Sequence, residues 1–521
     1  MRPIPVLLAW LLLAATPAAQ PARTIPLGDP VYDAIERLQR RGHLLALHPT
    51  ALPYTEAEVS AAVAALDTVT LAPRPAEWLR LVRRRLPVAV PEAGRLAVRA
   101  DIGAAPHAST SARMDALRPA PDSLRPPSFR VGGGGVWTQA DAHVTLGAGP
   151  VVAQLGIVHS LYANDDPDGL DVVNRAMMRN EEGYVAYRGA LVDVALGRIG
   201  THWGRARRDA LTLSDNPRAF DALHLRLGTP RIAVRSLLGQ LDSARPDGSF
   251  RDEIGQRPGD RPNDEVRVDR FVAAHRFDWR PSRAVALTFL ESALYSGPNA
   301  DPSLAYLLPT QAFSLLVDNT PKNTENNGAV GGMLWAYWRD WTVAGQLFLD
   351  DFDFVSLREP PAFAATGSVT RADLAPGLDL EAGMTAVTAR AYNAPQPEGT
   401  YVYARRGLGT EFNDYVHLQL RADWFAAPGL TLSPQIQALW QGEQSPDSPY
   451  PANDEARAIL SGAVTRTLRV GLGATYLPDP RWWARADLGA NASGDATSRG
   501  VHGTVTVGVR LGVAGTVRAE L

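Results

Sequence analysis

From about Arg95 to the end of the chain, apolar and polar residues alternate one by one. In Tyr415–Trp424, Val416, Leu418, Leu420, Ala422 and Trp424 share one face, and Tyr415, His417, Gln419, Arg421 and Asp423 share the other. Leu432, Pro434, Ile436, Ala438 and Trp440 alternate with Thr431, Ser433, Gln435 and Gln437. Val501, Val505, Val507, Val509 and Leu511 alternate with His502, Thr504, Thr506 and Arg510, as Leu223, Leu225 and Leu227 do with His224 and Arg226. A period of two predicts half-buried strands; wound as helices, the same segments would carry charge all the way round. A soluble sandwich or solenoid and a transmembrane barrel both use such strands. Runs of roughly 9–12 residues fit a tilted membrane crossing better than the soluble mode of about 5–6. Trp and Tyr recur at the predicted strand ends (Trp137, Trp279, Tyr295, Trp335, Trp338, Trp341, Trp424, Trp440, Trp482 and Trp483), as in an interfacial girdle. Tight turns (Ala427-Pro428-Gly429, Pro478-Asp479-Pro480) alternate with long polar connections (Asp242–Asp264, Gln441–Glu455). The pattern predicts an all-β transmembrane barrel, closed so that no strand edge is left unpaired. About 420 residues at roughly 20–25 per strand and connection give some 16–20 antiparallel strands.

Ahead of the strands, residues 28–86 carry the helical period. Asp29 is a capping residue with Pro30 in the first turn, and Val31, Ile35 and Leu38 form an apolar stripe ending at Gly42. Thr55 and Glu58 form a capping box for a second helix through Val59, Val63 and Leu66. A third helix runs from Pro75 through Trp78, Leu81 and Val82 to Leu86. Three short helices make a small α-helical bundle that is short of core for independent folding. The first 22 residues read as a secretory signal peptide: Arg2, the apolar run Val6–Ala15, Pro17, and small residues between 18 and 22 for cleavage. That run is shorter than the ~20 residues of a membrane-spanning helix. The expected division is therefore 1–22 signal peptide, 23–92 periplasmic helical bundle and 93–521 outer-membrane barrel.

Composition narrows the chemistry. The 521 residues include no cysteine, which excludes disulfides, thiolate metal sites, a Cys nucleophile and N-terminal lipidation. A net charge of −3 points away from nucleic acid. Mean hydropathy of −0.13 is what alternating lipid-facing and lumen-facing residues average to. The 45 glycines and 41 prolines exceed the usual share and suit a protein with many hairpins.

Several ordered segments resemble the capsule assembly protein Wzi family. They are Ile25-Pro-Leu-Gly-Asp-Pro-Val-Tyr32, Gly197-Arg-Ile-Gly-Thr-His-Trp-Gly204 followed by Ser214-Asp-Asn-Pro217, and His275-Arg-Phe-Asp-Trp-Arg-Pro281. Glu291-Ser-Ala-Leu-Tyr-Ser-Gly297, Tyr306-Leu-Leu-Pro309, Asn326-Asn327 and Gly345-Gln-Leu-Phe-Leu-Asp-Asp-Phe352 follow in the same order. The resemblance implies an 18-stranded outer-membrane β-barrel with a periplasmic helical bundle. It also implies a lectin-like role in attaching capsular polysaccharide or exopolysaccharide to the cell surface. The expected partners are that polysaccharide, outer-membrane lipid and the β-barrel assembly machinery, with the barrel a monomer. A porin-like channel is the alternative, because the lumenal set Arg226, Arg421, Asp423, Arg485, Asp487 and Arg510 carries both signs. Such charges either pair and fill the barrel or line a water channel, and the sequence leaves both open.

The chain carries no G-x-S-x-G, H-E-x-x-H or Walker loop, so neither an enzyme nor a cofactor is expected. His159 and Ser160 are adjacent and would face opposite sides of a strand, which separates a nucleophile from its base. The candidate polysaccharide-binding cluster is His202, Trp203, Arg205, Arg207, Arg208, Asp215 and Asn216. Its arginines offer forked donors for carboxylates and Trp203 a flat face for a sugar ring, which suits an acidic glycan. The same residues would otherwise be a girdle aromatic and lumenal charges. Asp350, Asp351 and Asp353 are a weak candidate for Ca²⁺.

Overall fold

The computed structural model describes residues 23–67, 71–86, 95–111, 113–119, 130–131, 134–160, 178–243, 268–297, 300–313, 325–351, 360–446, 448, 450–453 and 459–518. The signal-peptide expectation falls outside them, as does most of the 242–264 connection. Three helices come first: α1 (Val31–Gln39), α2 (Glu56–Ala64) and α3 (Pro73–Arg85). The Asp29 carboxylate accepts from the Val31 N–H at 3.0 Å, and the Thr55–Glu58 capping box is complete.

Eighteen long strands follow. They are β1 (Arg95–Ser109), β2 (Gly134–Ala148), β3 (Val151–Ser160), β4 (Met178–Arg188), β5 (Val192–Arg198), β6 (Asp221–Gly228), β7 (Ile232–Gln240), β8 (Asp269–Ser282) and β9 (Val285–Gly297). The second half comprises β10 (Glu325–Trp338), β11 (Trp341–Asp351), β12 (Ala362–Ala375), β13 (Leu378–Val387), β14 (Tyr415–Ala427), β15 (Leu430–Gln441), β16 (Thr465–Asp479), β17 (Trp482–Ser493) and β18 (Gly500–Arg518). Each pairs antiparallel with its neighbours, and β1 pairs with β18 from Arg95↔Arg518 to Ser109↔Thr504, closing the barrel. The two-residue strand Arg130–Val131, paired to the start of β2, brings the sheet to nineteen strands.

The wall is apolar outside and polar inside. Val505, Val507, Val509, Leu511, Leu468, Val470 and Leu472 are exposed on the outer face, while Asp101, Thr431, Ser433, Asp423 and Arg469 are buried within. An apolar exterior over a paired backbone is the arrangement a bilayer requires. Trp279, Trp338, Trp341, Tyr476, Trp424 and Trp482 are exposed near the tight turns and form the expected girdle at that rim. Trp137 and Trp335 instead lie buried, as does Tyr295, so the girdle is smaller than the sequence suggested.

Every turn of two or three residues between neighbouring long strands of the wall lies at one rim. At Pro376-Gly377, φ of +76° favours glycine, and the Arg74 guanidinium packs against the bare Cα. The helices, which lead directly into β1, seat in this rim. Apolar α1–α3 residues form one core with Phe425 and Leu477 of the wall. From the opposite rim, segments 199–220 and 388–414 fold inward. Trp203, Leu211, Leu213, Tyr392, Tyr401 and Leu408 build a second core inside the barrel, against Leu290, Met333 and Phe348 of the wall. Two fully buried arginines pin the 388–414 insert and the helical plug to the wall. Arg270 donates to the carbonyls of Glu398, Thr400 and Val402, and Arg276 donates to the carbonyl and hydroxyl of Thr50.

One segment lies outside the wall. Residues 300–313, with the short helix α4 (Leu304–Leu307), pack over the outer face of β7–β9. There Ser236, His275 and Glu291 sit side by side in register across three strands. Glu291 accepts from His275 Nδ1 at 2.8 Å and from the Phe313 N–H at 3.0 Å, while the Ser236 hydroxyl donates to the Leu307 carbonyl. Polar side chains are tolerated on this lipid-side face because a strap covers them and uses them.

Candidate functional site

The charged interior lies between the helical plug and the inward loops, and its centre is Glu381 on β13. Glu381 accepts from Arg40 of α1's C-terminal end at 2.8 Å, from Arg205 at 3.2 Å and from Arg208 at 2.7 Å, plus the Thr370 hydroxyl at 3.1 Å. Arg40 also pairs with Glu36 at 3.1 Å and with Asp423 at 3.3 Å, and Arg205 donates to Glu36 as well. A carboxylate with three arginines holds plug, loop and wall together, and removing the carboxylate leaves half-buried Arg208 without its ion-pair partner. Burial alone would raise the Glu36 carboxyl, but Arg40, Arg205 and Arg208 outweigh it and hold it at about 2. Asp33 is likewise held well below the usual carboxylate range, against its desolvation, by Arg207, Arg485 and Arg37.

Each member of the sequence-derived cluster has a definite place here. His202 is buried and its backbone bridges to Leu52 of the plug in both directions. Its ring joins the Asp215 carboxylate at 2.8 Å and the Arg205 carbonyl at 2.8 Å. Trp203 is 5% exposed and packs in the interior core, neither in the girdle nor open to a sugar ring. Arg205 belongs to the Glu381 network, Arg207 pairs with Asp33 at 2.7 Å, and Arg208 reaches Glu381. Asp215 is half exposed, and Asn216 donates to the Gly407 carbonyl and the Glu411 carboxylate. The structure thus brings all seven onto one inward segment that runs from the plug to the 402–407 hairpin.

Two polar cavities of about 330 and about 290 Å³ flank this segment and share Arg207, Arg208 and Arg421. Gln346, Ser368, Thr385, His417 and Gln419 line the smaller one, and Arg485, Gln435 and Thr506 the larger. Wall residues on β11–β18 therefore complete a chamber that sequence reasoning assigned to loop 202–216 alone. The signal available was the inward face of Tyr415–Trp424, whose Arg421, Gln419 and His417 alternate out of the lipid face. Pairing across the lumen, by contrast, has no trace in local spacing.

The lumenal charges pair among themselves. Arg226 meets Asp193 at 3.2 Å and Arg421 meets Asp423 at 2.8 Å. Arg485 reaches Asp33 of the plug at 2.8 Å, and Arg510 reaches Asp29 at 2.7 Å. Asp350 accepts from the Tyr392 N–H at 2.7 Å; Asp353 and the Asp351 side chain lie outside the described residues. Among the described residues no group of three His, Asp or Glu is arranged to hold a metal ion. His159 and Ser160 do point to opposite sides of β3.

Residues 97–349 match the model of the capsule assembly protein Wzi family, which bears out the resemblance carried by the motifs. The fold is similar to Escherichia coli Wzi, an outer-membrane protein involved in group 1 capsule assembly and described as a carbohydrate-binding β-barrel. That similarity covers 94% of this chain and 99% of that one, at 10% identity and a TM-score of 0.61. The outer-membrane protein OpdK of Pseudomonas aeruginosa aligns over 81% of this chain and 99% of its own, at 10% identity and a TM-score of 0.44. A BenF-like porin of Pseudomonas fluorescens Pf-5 aligns over 80% and 99%, also at 10% identity and 0.44. A search of curated proteins gives no match.

Proposed function

From the premise of a closed outer-membrane barrel that matches the capsule assembly protein Wzi family over residues 97–349, we propose that this protein binds exported polysaccharide and holds it at the cell surface. The observation that carries this reading is the occupied lumen. A helical plug from one rim and loops from the other meet through the Glu381 network, which suits an anchor rather than a conduit for solutes. The carbohydrate-binding description of the Escherichia coli barrel is consistent with it.

In this reading the helices face the periplasm, since β1 follows them and the tight turns lie at their rim. Arg207, Arg208 and Arg421, with Gln419 and His417, contact an acidic glycan unit in the chamber they line. His202, Trp203, Arg205, Asp215 and Asn216 shape the segment that presents them. No bond is made or broken; the protein acts by binding, as a single-chain barrel inserted by the β-barrel assembly machinery.

Purified protein titrated with the host's own surface polysaccharide tests this directly. The wild type binds, and Arg207→Ala/Arg208→Ala loses about tenfold or more in affinity. Deleting the gene releases glycan into the medium without stopping its synthesis. Unchanged retained and released fractions sink the proposal, as do steady open currents in a planar bilayer, which favour a channel.

A further inference from the structure

A second cavity, distinct from the arginine chamber, opens at the tight-turn rim where the end of α3 meets β1, β2, β3 and β18. Its volume is about 490 Å³. Protein interiors ordinarily fill such space, and this wall leaves it free by choice of residue. A Cβ added at Gly147 would meet only the Ala97 Cβ, at 3.8 Å. Ala97, Val152, Ala514 and Leu86 continue the small, apolar lining.

The polar part is strongly basic. Arg23, Arg84, Arg85, Arg99, Arg481 and Arg510 line the cavity against two carboxylates, Glu56 and Asp101. Arg23 and Arg85 are 2% and 6% exposed. Arg85 spends Nε on Asp29 at 2.6 Å and Nη1 on Glu56 at 3.3 Å, and Arg23 spends Nη1 on Asp101. Arg85 Nη2 and Arg23 Nε have no partner among the described residues. A buried N–H without an acceptor is costly, and a ligand oxygen removes that cost.

We propose that this cavity binds an anionic amphiphile, its phosphate or carboxylate head on the arginines and its aliphatic part along the Ala97–Gly147–Ala514 wall. Forked guanidinium donors match the oxygens of such a head. Leu86, Ala97, Val152 and Ala514 offer a polar group no side-chain partner, with only the hydroxyls of Thr145 and Thr516 beside them, so a free sugar or a bare ion leaves the apolar part of the lining uncovered. The site is independent of the glycan-binding reading and stands or falls separately.

The test uses the full-length barrel in a neutral detergent, titrated calorimetrically with octyl phosphate, octyl glucoside and inorganic phosphate. Octyl phosphate binds saturably at one site, about tenfold or more tighter than either of the others. Filling the space with Gly147→Leu/Ala514→Leu removes binding while the melting temperature holds. Arg481→Glu, at the exposed rim, weakens binding without touching the plug and serves if the filled variant fails to fold. Phospholipid retained through purification by the wild type and not by the filled variant identifies a membrane lipid as the source. Equal response to octyl phosphate and octyl glucoside, equal response to inorganic phosphate, or binding unaffected by both variants overturns the proposal.

Discussion

Replacing Asp29 with Asn should loosen the helical plug while leaving the barrel intact. The carboxylate is 1% exposed and accepts from Arg85 Nε at 2.6 Å, Arg510 Nη1 at 2.7 Å and the Val31 N–H at 3.0 Å. It therefore ties α3 and β18 to the start of α1. Burial would raise its pKa, but Arg85 and Arg510 together pull it down to about 2 from the ordinary 3.8. At 1.36 kcal/mol per unit, this difference is worth about 2 kcal/mol of plug stability at neutral pH. Asn keeps the cap and loses the charge. Arg85 retains Glu56 and Arg510 retains Asp141 at 3.7 Å, so the loss stays below the ~3–5 kcal/mol of a fully stranded pair. The expected cost of about 2–3 kcal/mol corresponds to roughly 30- to 150-fold faster opening-limited hydrogen exchange. Amides of Val31–Gln39 and Trp78–Val82 report it, and those of Thr431–Ala438 in the wall serve as control. The sign with pH follows from the depressed folded-state value. The contribution is complete above the unfolded carboxylate value near 4 and is lost as pH falls through about 2. Protection factors within about threefold of wild type in the Asn variant, or no selective loss in the plug between pH 4 and 2, would refute the reasoning.

Other perturbations separate the remaining layers of the fold. Val505→Arg puts a charge on the lipid face of β18, further into the wall than the Val509↔Trp482 pair at the girdle, and should cost about 2–4 kcal/mol in urea unfolding from bilayers; a neutral result would mean that face does not meet lipid. Glu381→Gln leaves Arg208 without its carboxylate, while Arg40 keeps Glu36 and Asp423 and Arg205 keeps Glu36, and should destabilise the plug and the 199–216 segment by about 2–3 kcal/mol, seen as protease cleavage near Arg207. Cleavage no faster than in wild type would dismiss the network as a clasp. Glu291→Ala removes the acceptor for the Phe313 N–H and the partner of His275, at about 1–3 kcal/mol. On a Ser303→Cys background, in a chain with no other cysteine, maleimide labelling of the strap should accelerate about tenfold or more. Unchanged labelling would show that the strap docks without help from Glu291.

The elements themselves were legible along the chain. The period of two in Tyr415–Trp424 and in Val501–Leu511 is imposed by lipid on one side and a polar lumen on the other, and it names the wall residue by residue. The Thr55–Glu58 box and the Asp29 cap are local hydrogen bonds between near neighbours, so short-range spacing suffices to read them. Tight turns and long connections alternate as the barrel's two rims require. What spacing could not reach was the content of the lumen. Whether Arg485 and Arg510 pair or line a channel depends on Asp33 and Asp29, more than 450 residues away in sequence. Trp203 illustrates the same limit. An indole beside arginines reads as a girdle or a sugar platform, and only the inward fold of 199–220 makes it core. The strap over Ser236, His275 and Glu291 was also invisible, because three polar residues on a lipid-side face make sense only once residues 300–313 are seen to cover them. Sequence periodicity thus determined that this chain is a membrane barrel with helices before it, since the two solvents act on each residue separately. Tertiary structure alone decided that the barrel is filled, because ion pairs and cores between distant segments depend on where closure of the wall places them.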